Sequence, residues 1–276
     1  MKGKQPKQYP TCLSAYEELS LTLYSLRHGY KFTSLQRIHA PTHLEVRRLN
    51  AIARKLQKEP QKLIFRAMKC QGQVDIHADS GYRRLDAADD VKGYGLRGLT
   101  MLRKGKTSTG QNVVHLLDSI CKSHRLVIRS SYGAELLAAA HGMEDAYPTI
   151  ITLIEIANGV RNADQIKQYR EQGNLELDVT LTLDAEGVYK SLTNRDFKTP
   201  AEKTHLAHVA WIRELLHNRT IRRIQWCDTR DMVADCHTKG SIDRTALIRA
   251  MIGEQTYKHE TRKYEPVKPE RTEPHE

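Results

Sequence analysis

The order in which apolar patterns follow one another constrains this chain more than any single motif. From about residue 62 apolar and polar residues alternate through KLIFRAM and then QVDIHAD. The alternation resumes in GYGLRGLTMLRK and QNVVHLLD, after Gly-containing or polar breaks. A period of two belongs to strands. After Ser130-Ser131 the period lengthens and YGAELLAAAHGMEDAY reads as a helix, which Pro148 is expected to break or kink before TIITLIEIA resumes. The strand LELDVTLTLD, the short helix AEGVYKSL, the strongly periodic helix AEKTHLAHVAWIRELLHN, the strand RTIRRIQWCDT and the helices RDMVADCHTK and ALIRAMIG complete the series. Consecutive strands suggest an antiparallel meander, and later strands separated by helices suggest parallel crossovers. An α/β fold follows, with a mixed sheet covered by helices and no internal repeat.

Four acidic residues occupy key points of that pattern: Asp79, Glu135, Asp184 and Asp235, spaced by 56, 49 and 51 residues. Asp79 ends the run Val74-Asp75-Ile76-His77-Ala78-Asp79, so Asp75 has the same parity and shares its face. Glu135 lies in the first turns of an Ala/Leu-rich helix, Asp184 closes a strand, and Asp235 is expected in mid-helix. Three of them have a local explanation as well, whereas Asp235 is expected to be neither a cap nor part of an obvious surface pair. Asp79 suits a turn before Ser-Gly, Glu135 suits a helix dipole, and Asp184 suits an N-cap. Together they supply the acidic ligands that two Mg²⁺ ions about 3.5–4 Å apart need for in-line attack on a phosphodiester, with Mn²⁺ as the alternative ion.

The net charge of +11 is concentrated. Residues 1–70 hold 14 Lys/Arg against 4 Asp/Glu, whereas residues 71–276 hold 30 against 29. One helix is expected between about 12 and 28. A second spans about 41–58, with Leu44, Val46, Leu49, Ile52, Ala53 and Leu56 near helical spacing and Arg47, Arg48, Arg54 and Lys55 on its other face. Such a basic face beside a carboxylate site suits a polyanionic partner, although a solvated basic arm has the same composition. The organisation expected is a basic helical segment over 1–61, an α/β domain over 62–253 and a disordered charged tail over 254–276. Five cysteines without C-x-x-C spacing support neither a disulfide framework nor a zinc ribbon. No apolar run reaches the roughly 20 residues of a membrane span, and the N-terminus lacks a signal-peptide core. A soluble intracellular protein, cytoplasmic or nuclear and without a membrane partner, is the expectation.

In sequence, IHADSGY, ICKSHRLVI followed by RSSYGAELLAAA, VTLTLDAEGVYKSL and EKTHLAHVAWIRELLHNRTIRRIQWCDTRDMVADCHTKG resemble the ribonuclease H domain of copia-type (Ty1/copia) retrotransposon polyproteins. The last segment is the most specific, since its Lys-Thr-His, Ile-Arg-Glu and Ala-Asp-x-x-Thr-Lys pieces come in the family's order. The helix THLEVRRLNAIARKLQ is similar to the end of the reverse-transcriptase connection that precedes this domain. The resemblance covers roughly residues 40–253. It implies a ribonuclease H-like fold with a five-stranded mixed sheet, Asp79, Glu135, Asp184 and Asp235 as catalytic metal ligands, and His205 as the motif histidine, structural or substrate-facing. Two departures stand out: Cys227-Asp228-Thr229-Arg230 lacks the mobile histidine of many cellular ribonucleases H, and Tyr82 replaces the tryptophan usual after the first Asp.

The implied substrate is an RNA/DNA hybrid, read by shape, phosphates and 2′-hydroxyls. Arg47, Arg48, Arg54, Lys55, Arg222, Arg223 and Lys239 are expected on its backbones, and a reverse-transcriptase polymerase domain in a larger polyprotein is an expected partner. Asp89-Asp90 lacks strand character and a Tyr-x-Asp-Asp motif is missing, so a polymerase is not expected. Two other readings are a catalytically silent or domesticated nucleic-acid-binding relic, and an integrase-like transposase. The latter is disfavoured because its Glu comes last, on a late helix.

Overall fold

The computed structural model describes residues 42–58, 62–68, 72–82, 95–124, 128–173, 175–196, 200 and 202–266. The helix expected near 12–28, Asp89-Asp90 and residues 267–276 lie outside them. In chain order the elements are α1 (His43–Lys58), β1 (Gln73–Gly81), β2 (Leu96–Lys106), β3 (Asn112–Ser123), α2 (Ser131–Asn158), α3 (Ala163–Gln172), β4 (Asp178–Leu183), α4 (Glu186–Thr193), α5 (Lys203–His217), β5 (Arg223–Cys227), a 3₁₀ turn (Thr229–Asp231), α6 (Asp235–Thr238), α7 (Thr245–Met251) and β6 (Thr261–Tyr264).

The strands form one mixed sheet in the order β3-β2-β1-β4-β5-β6. β1, β2 and β3 make the antiparallel meander, and β1–β4 and β4–β5 pair in parallel, as the spacing of strands and helices predicts. Among the described residues the sheet has six strands rather than five, because β6 pairs antiparallel with β5. β6 comes from the stretch expected to be a charged tail. KLIFRAM, expected as a strand, has no regular secondary structure over 62–68, and Leu63, Ile64 and Phe65 are exposed. That segment runs past the sheet edge, where the Ile64 amide donates to the Met251 carbonyl (2.8 Å) and His115 Nε2 meets the Arg66 carbonyl (2.7 Å).

β1 is buried along its length except at its ends. Its even side chains Val74, Ile76 and Ala78 join the main core with Leu136, Ala139, Ala140, Met143 and Ile150 of α2, plus Val188 and Leu192 of α4 and Val209 and Ile212 of α5. Gly142 permits the close approach of α2, since a Cβ there would stand 3.4 Å from the Ala78 Cβ and 3.3 Å from Leu99 Cδ1. α2 continues through Pro148 without a break. The proline is exposed, while Ile150, Ile151 and Ile154 beyond it are buried, so packing outweighs the lost backbone donor. On the other face a smaller cluster of Leu102, Val114, Leu116, Val233, Cys236, Leu247 and Met251 seats α6 and α7. The odd residues of β1, Asp75, His77 and Asp79, are fully buried on this second side.

Candidate metal centre

The parallel pairing of β1 and β4 ends at His77–Thr182, and the next two steps of that register bring Asp79 level with Asp184 at the carboxyl ends of both strands. Crevices at such ends are where α/β sheets present side chains to ligands. α2 begins beside them. Ser130 caps it by accepting from the Gly133 amide (3.0 Å), which leaves Glu135 free to accept from the Ser80 amide (3.0 Å). Asp184 is not the N-cap of α4; Ala185 holds that place. Asp184 Oδ2 instead accepts from Thr229 Oγ1 (2.8 Å), and its carbonyl accepts from Trp226 Nε1 (2.7 Å). Arg262 of β6 lies 4.6 Å over the Trp226 ring, so the added strand braces the tryptophan that holds Asp184.

Oxygens of Asp79, Glu135 and Asp184 lie within 4.8 Å of one another, a cluster that could hold a metal ion. Asp235 falls outside that triad but is tied to it. It opens α6 instead of lying in mid-helix, because the expected single helix over RDMVADCHTK resolves into the 3₁₀ turn and the four-residue α6. Its Oδ1 meets Lys239 Nζ at 2.5 Å, and the same ammonium lies 3.8 Å from Asp79 Oδ1 and 3.9 Å from Asp184 Oδ2. Thr238 Oγ1 donates to Asp79 Oδ2. Two buried oxygens, Asp79 Oδ1 and Asp235 Oδ2, have no hydrogen-bond partner among the described residues. A buried carboxylate oxygen left without a partner is one that a cation would relieve, and Asp79 belongs to the triad itself.

The electrostatics agree. Burial, then the charges of Asp79 and Asp184, push the Glu135 carboxyl well above its ordinary value, with Lys239 opposing. Burial and Asp79 raise Asp184 in the same way. Asp235 is pushed up to about 8 by burial and by Asp79, against the pull of Lys239. Burial works to lower Lys239, but Asp79, Asp235 and Asp184 outweigh it and hold the ammonium charged. Burial and neighbouring acidic charge therefore oppose ionisation of Glu135, Asp184 and Asp235, a cost that a bound divalent cation would offset.

Asp75 shares the buried face of Asp79, as parity predicts, but serves another purpose. Lys104 pairs with it, Thr182 Oγ1 donates to it (2.6 Å) and Tyr257 OH approaches at 3.2 Å. Although burial would raise it, Lys104 and His77 hold Asp75 far below the usual carboxylate range. This network fastens the C-terminal segment to the sheet and leaves Asp79 as the strand's contribution to the cluster.

The remaining expected residues divide. Arg47, Arg48, Arg54 and Lys55 are exposed on α1. His205 is buried, 3.4 Å from Glu202, with its ring tilted 57° to that of Tyr132 and its edge against Gly133 at the start of α2. Arg222 and Arg223 sit at the opposite end of β5 from Asp184, where Asp178 and Glu265 pair with them. They do not line the carboxylate cluster. Lys239, expected on a nucleic-acid backbone, lies among the carboxylates. Cys236 packs in the smaller core and His237 Nε2 meets Thr100 Oγ1 (3.1 Å) and Ser119 Oγ (2.8 Å), so neither faces the cluster. Sequence reasoning missed Thr229 and Thr238. The Asp235-x-x-Thr238-Lys239 spacing held the signal for Thr238, since i+3 and i+4 share a helix face with i.

No protein-family model matches the chain, and no curated protein matches it either. Among the described residues, no helix is long and apolar enough to cross a membrane.

Proposed function

We propose that this chain is a metal-dependent endonuclease that hydrolyses the RNA strand of RNA/DNA hybrids, with a ribonuclease H-like fold. The observation behind this reading is the convergence of Asp79, Glu135 and Asp184 from two strand ends and a helix start, with Asp235 joined through Lys239. The order Asp-Glu-Asp-Asp, and the three-strand meander followed by two parallel crossovers, fit that fold; β6 is an addition to it.

Asp79, Glu135 and Asp184 would hold one divalent ion, and Asp79 with Asp235 offers oxygens for a second; Mg²⁺ or Mn²⁺ suits an all-oxygen donor set. When bound, such ions activate water for in-line attack and stabilise the departing 3′ oxygen. The chain's own residues orient the ligands: Thr238 holds Asp79, the Ser80 amide holds Glu135, and Thr229 with Trp226 holds Asp184. The exposed basic face of α1 supplies phosphate contacts, so hybrid binding should weaken steeply with salt. A polymerase domain in a larger polyprotein is the natural partner for this activity.

The test is cleavage of a labelled RNA/DNA hybrid in Mg²⁺ by wild type and Asp184→Asn. Wild type should leave 5′-phosphate ends and the variant should lose at least about a hundredfold in rate, the scale on which one electrostatic contributor matters. Equal cleavage by the two proteins would remove the assignment. A second reading, a catalytically silent nucleic-acid-binding relic, draws on the resident ammonium of Lys239 inside the cluster. Hybrid binding without cleavage in any divalent metal would favour it.

A further inference from the structure

We infer that Lys239 is a built-in, displaceable cation that holds the position of a second divalent ion between Asp79 and Asp235. The inference rests on the metal-centre reading above and extends it to the order in which ions enter.

The cluster has two unlike halves. Around Asp79, Glu135 and Asp184, ligand oxygens lie within 4.8 Å of one another and are held from outside by Ser80, Thr229 and Thr238. On the Asp235 side, Lys239 Nζ already stands 2.5 Å from Asp235 Oδ1, 3.8 Å from Asp79 Oδ1 and 3.9 Å from Asp184 Oδ2. An ammonium can present one proton per acceptor to three carboxylates, yet only the Asp235 contact is at hydrogen-bond length. Among the described residues, the buried Asp79 Oδ1 and Asp235 Oδ2 keep no hydrogen-bond partner. Lys239 therefore supplies charge without completing the coordination. Its side chain is 38% exposed, whereas those of Asp79 and Asp235 are at most 1% exposed, so the lysine has a route to water and the carboxylates do not. α6 is four residues long and ends at Thr238, so Lys239 stands at its C-cap, where a swing of the flexible stem breaks no helical turn.

Asp79, Glu135 and Asp184 would hold a first ion with Lys239 in place. The second must displace the ammonium, which lowers its affinity and makes its binding depend on the electrolyte and on what draws Lys239 away. A nucleic-acid phosphate is a suitable acceptor for the released ammonium, so substrate and second ion would enter together.

The experiment uses the full chain with Mn²⁺ as the probe, followed by calorimetry and by thermal denaturation with and without EDTA, for wild type, Lys239→Gln and Asp184→Asn. Lys239→Gln should melt several degrees lower in EDTA and should bind a second Mn²⁺ about tenfold more tightly than wild type, a coupling of ordinary size. If Asp184→Asn loses Mn²⁺ binding but Lys239→Gln binds both ions as wild type does, the Lys239 inference is overturned and the metal centre stands. If Asp184→Asn leaves Mn²⁺ binding unchanged, the metal-centre reading is overturned, and the inference with it. A readout on wild type alone guards against a misfolded variant: saturating Mn²⁺ should raise acylation of Lys239 by an amine-reactive ester severalfold, read by peptide mass spectrometry. Unchanged or reduced labelling would overturn the inference.

Discussion

Asp235→Asn should stabilise the metal-free chain while abolishing its proposed activity. Asp235 is pushed up to about 8 in the folded state, against 3.8 for an unperturbed aspartate. A raised folded value means that the fold prefers the neutral acid. No penalty arises below about pH 3.8, and the cost grows as the pH rises toward 8. At pH 7 the carboxyl has been carried roughly 3.2 pH units past its unfolded value, which at about 1.36 kcal/mol per unit sets a ceiling of about 4 kcal/mol. Side-chain relaxation and water beside the partly exposed Lys239 reduce this to about 2 kcal/mol. Asn keeps the shape and removes the charge. For a chain of this size each kcal/mol moves Tm by about 2–4 °C, so a gain of about 4–8 °C is expected in EDTA at pH 7. At pH 5 the same reasoning leaves under about 1 kcal/mol and a gain of about 2 °C. Differential scanning calorimetry at both pH values, with and without Mg²⁺, provides the assay. Saturating Mg²⁺ should shrink the difference, because wild type alone gains the full binding energy of the ions. A variant less stable than wild type in EDTA at pH 7, or a gain independent of pH, would refute the claim that the apo fold disfavours an ionised Asp235.

Asp75→Asn should behave oppositely. It strips Lys104 of its partner in a buried network and should cost about 3 kcal/mol at pH 7, near the lower end for broken buried pairs, while preserving the Mg²⁺-induced rise in Tm. Because the folded Asp75 value is depressed, its contribution is present above about pH 4 and is lost as the pH falls, so variant and wild type should converge in acid; loss of the Mg²⁺ effect would place Asp75 in the metal centre. At Gly133 a Cβ would stand 2.4 Å from His205 Cε1, and His205 is boxed in by Tyr132 and Glu202. Gly133→Ala should therefore cost about 1–3 kcal/mol in thermal denaturation and weaken Mn²⁺ binding by shifting Glu135 two residues on; a neutral result would show that the helix start adapts freely.

Much of this architecture was legible because patterning and topology agree. The antiparallel meander, the two crossovers and the placement of Asp79 and Asp184 at strand ends follow from periods of two and of helical length. The misses have separate physical causes. TRKY of β6 is a short edge strand with charged side chains and a single partly buried apolar contact, Tyr264, the composition by which edges avoid aggregation, so it reads as tail. α3 has no fully buried residue and sets only Ile166 and Tyr169 against the main core, too short an apolar stripe to read; its capping box of Asn162 and Gln165 was the readable sign. KLIFRAM alternates convincingly but finds no strand partner among the described residues, and its Leu63, Ile64 and Phe65 stay exposed. Parity put Asp75 and Asp79 on one face without saying which joins the cluster, because the partners that separate them, Lys104, Tyr257 and Thr238, are distant in sequence. Arg222 and Arg223 looked like backbone contacts because the sequence does not show Asp178 and Glu265 closing on them.

The most direct measurement is anomalous diffraction from crystals of the full chain grown with Mn²⁺. The account predicts a strong peak among the carboxylates of Asp79, Glu135 and Asp184, present in wild type and lost in Asp184→Asn. Manganese bound elsewhere, with this cluster empty at saturating Mn²⁺, would contradict the metal centre on which the proposed nuclease depends.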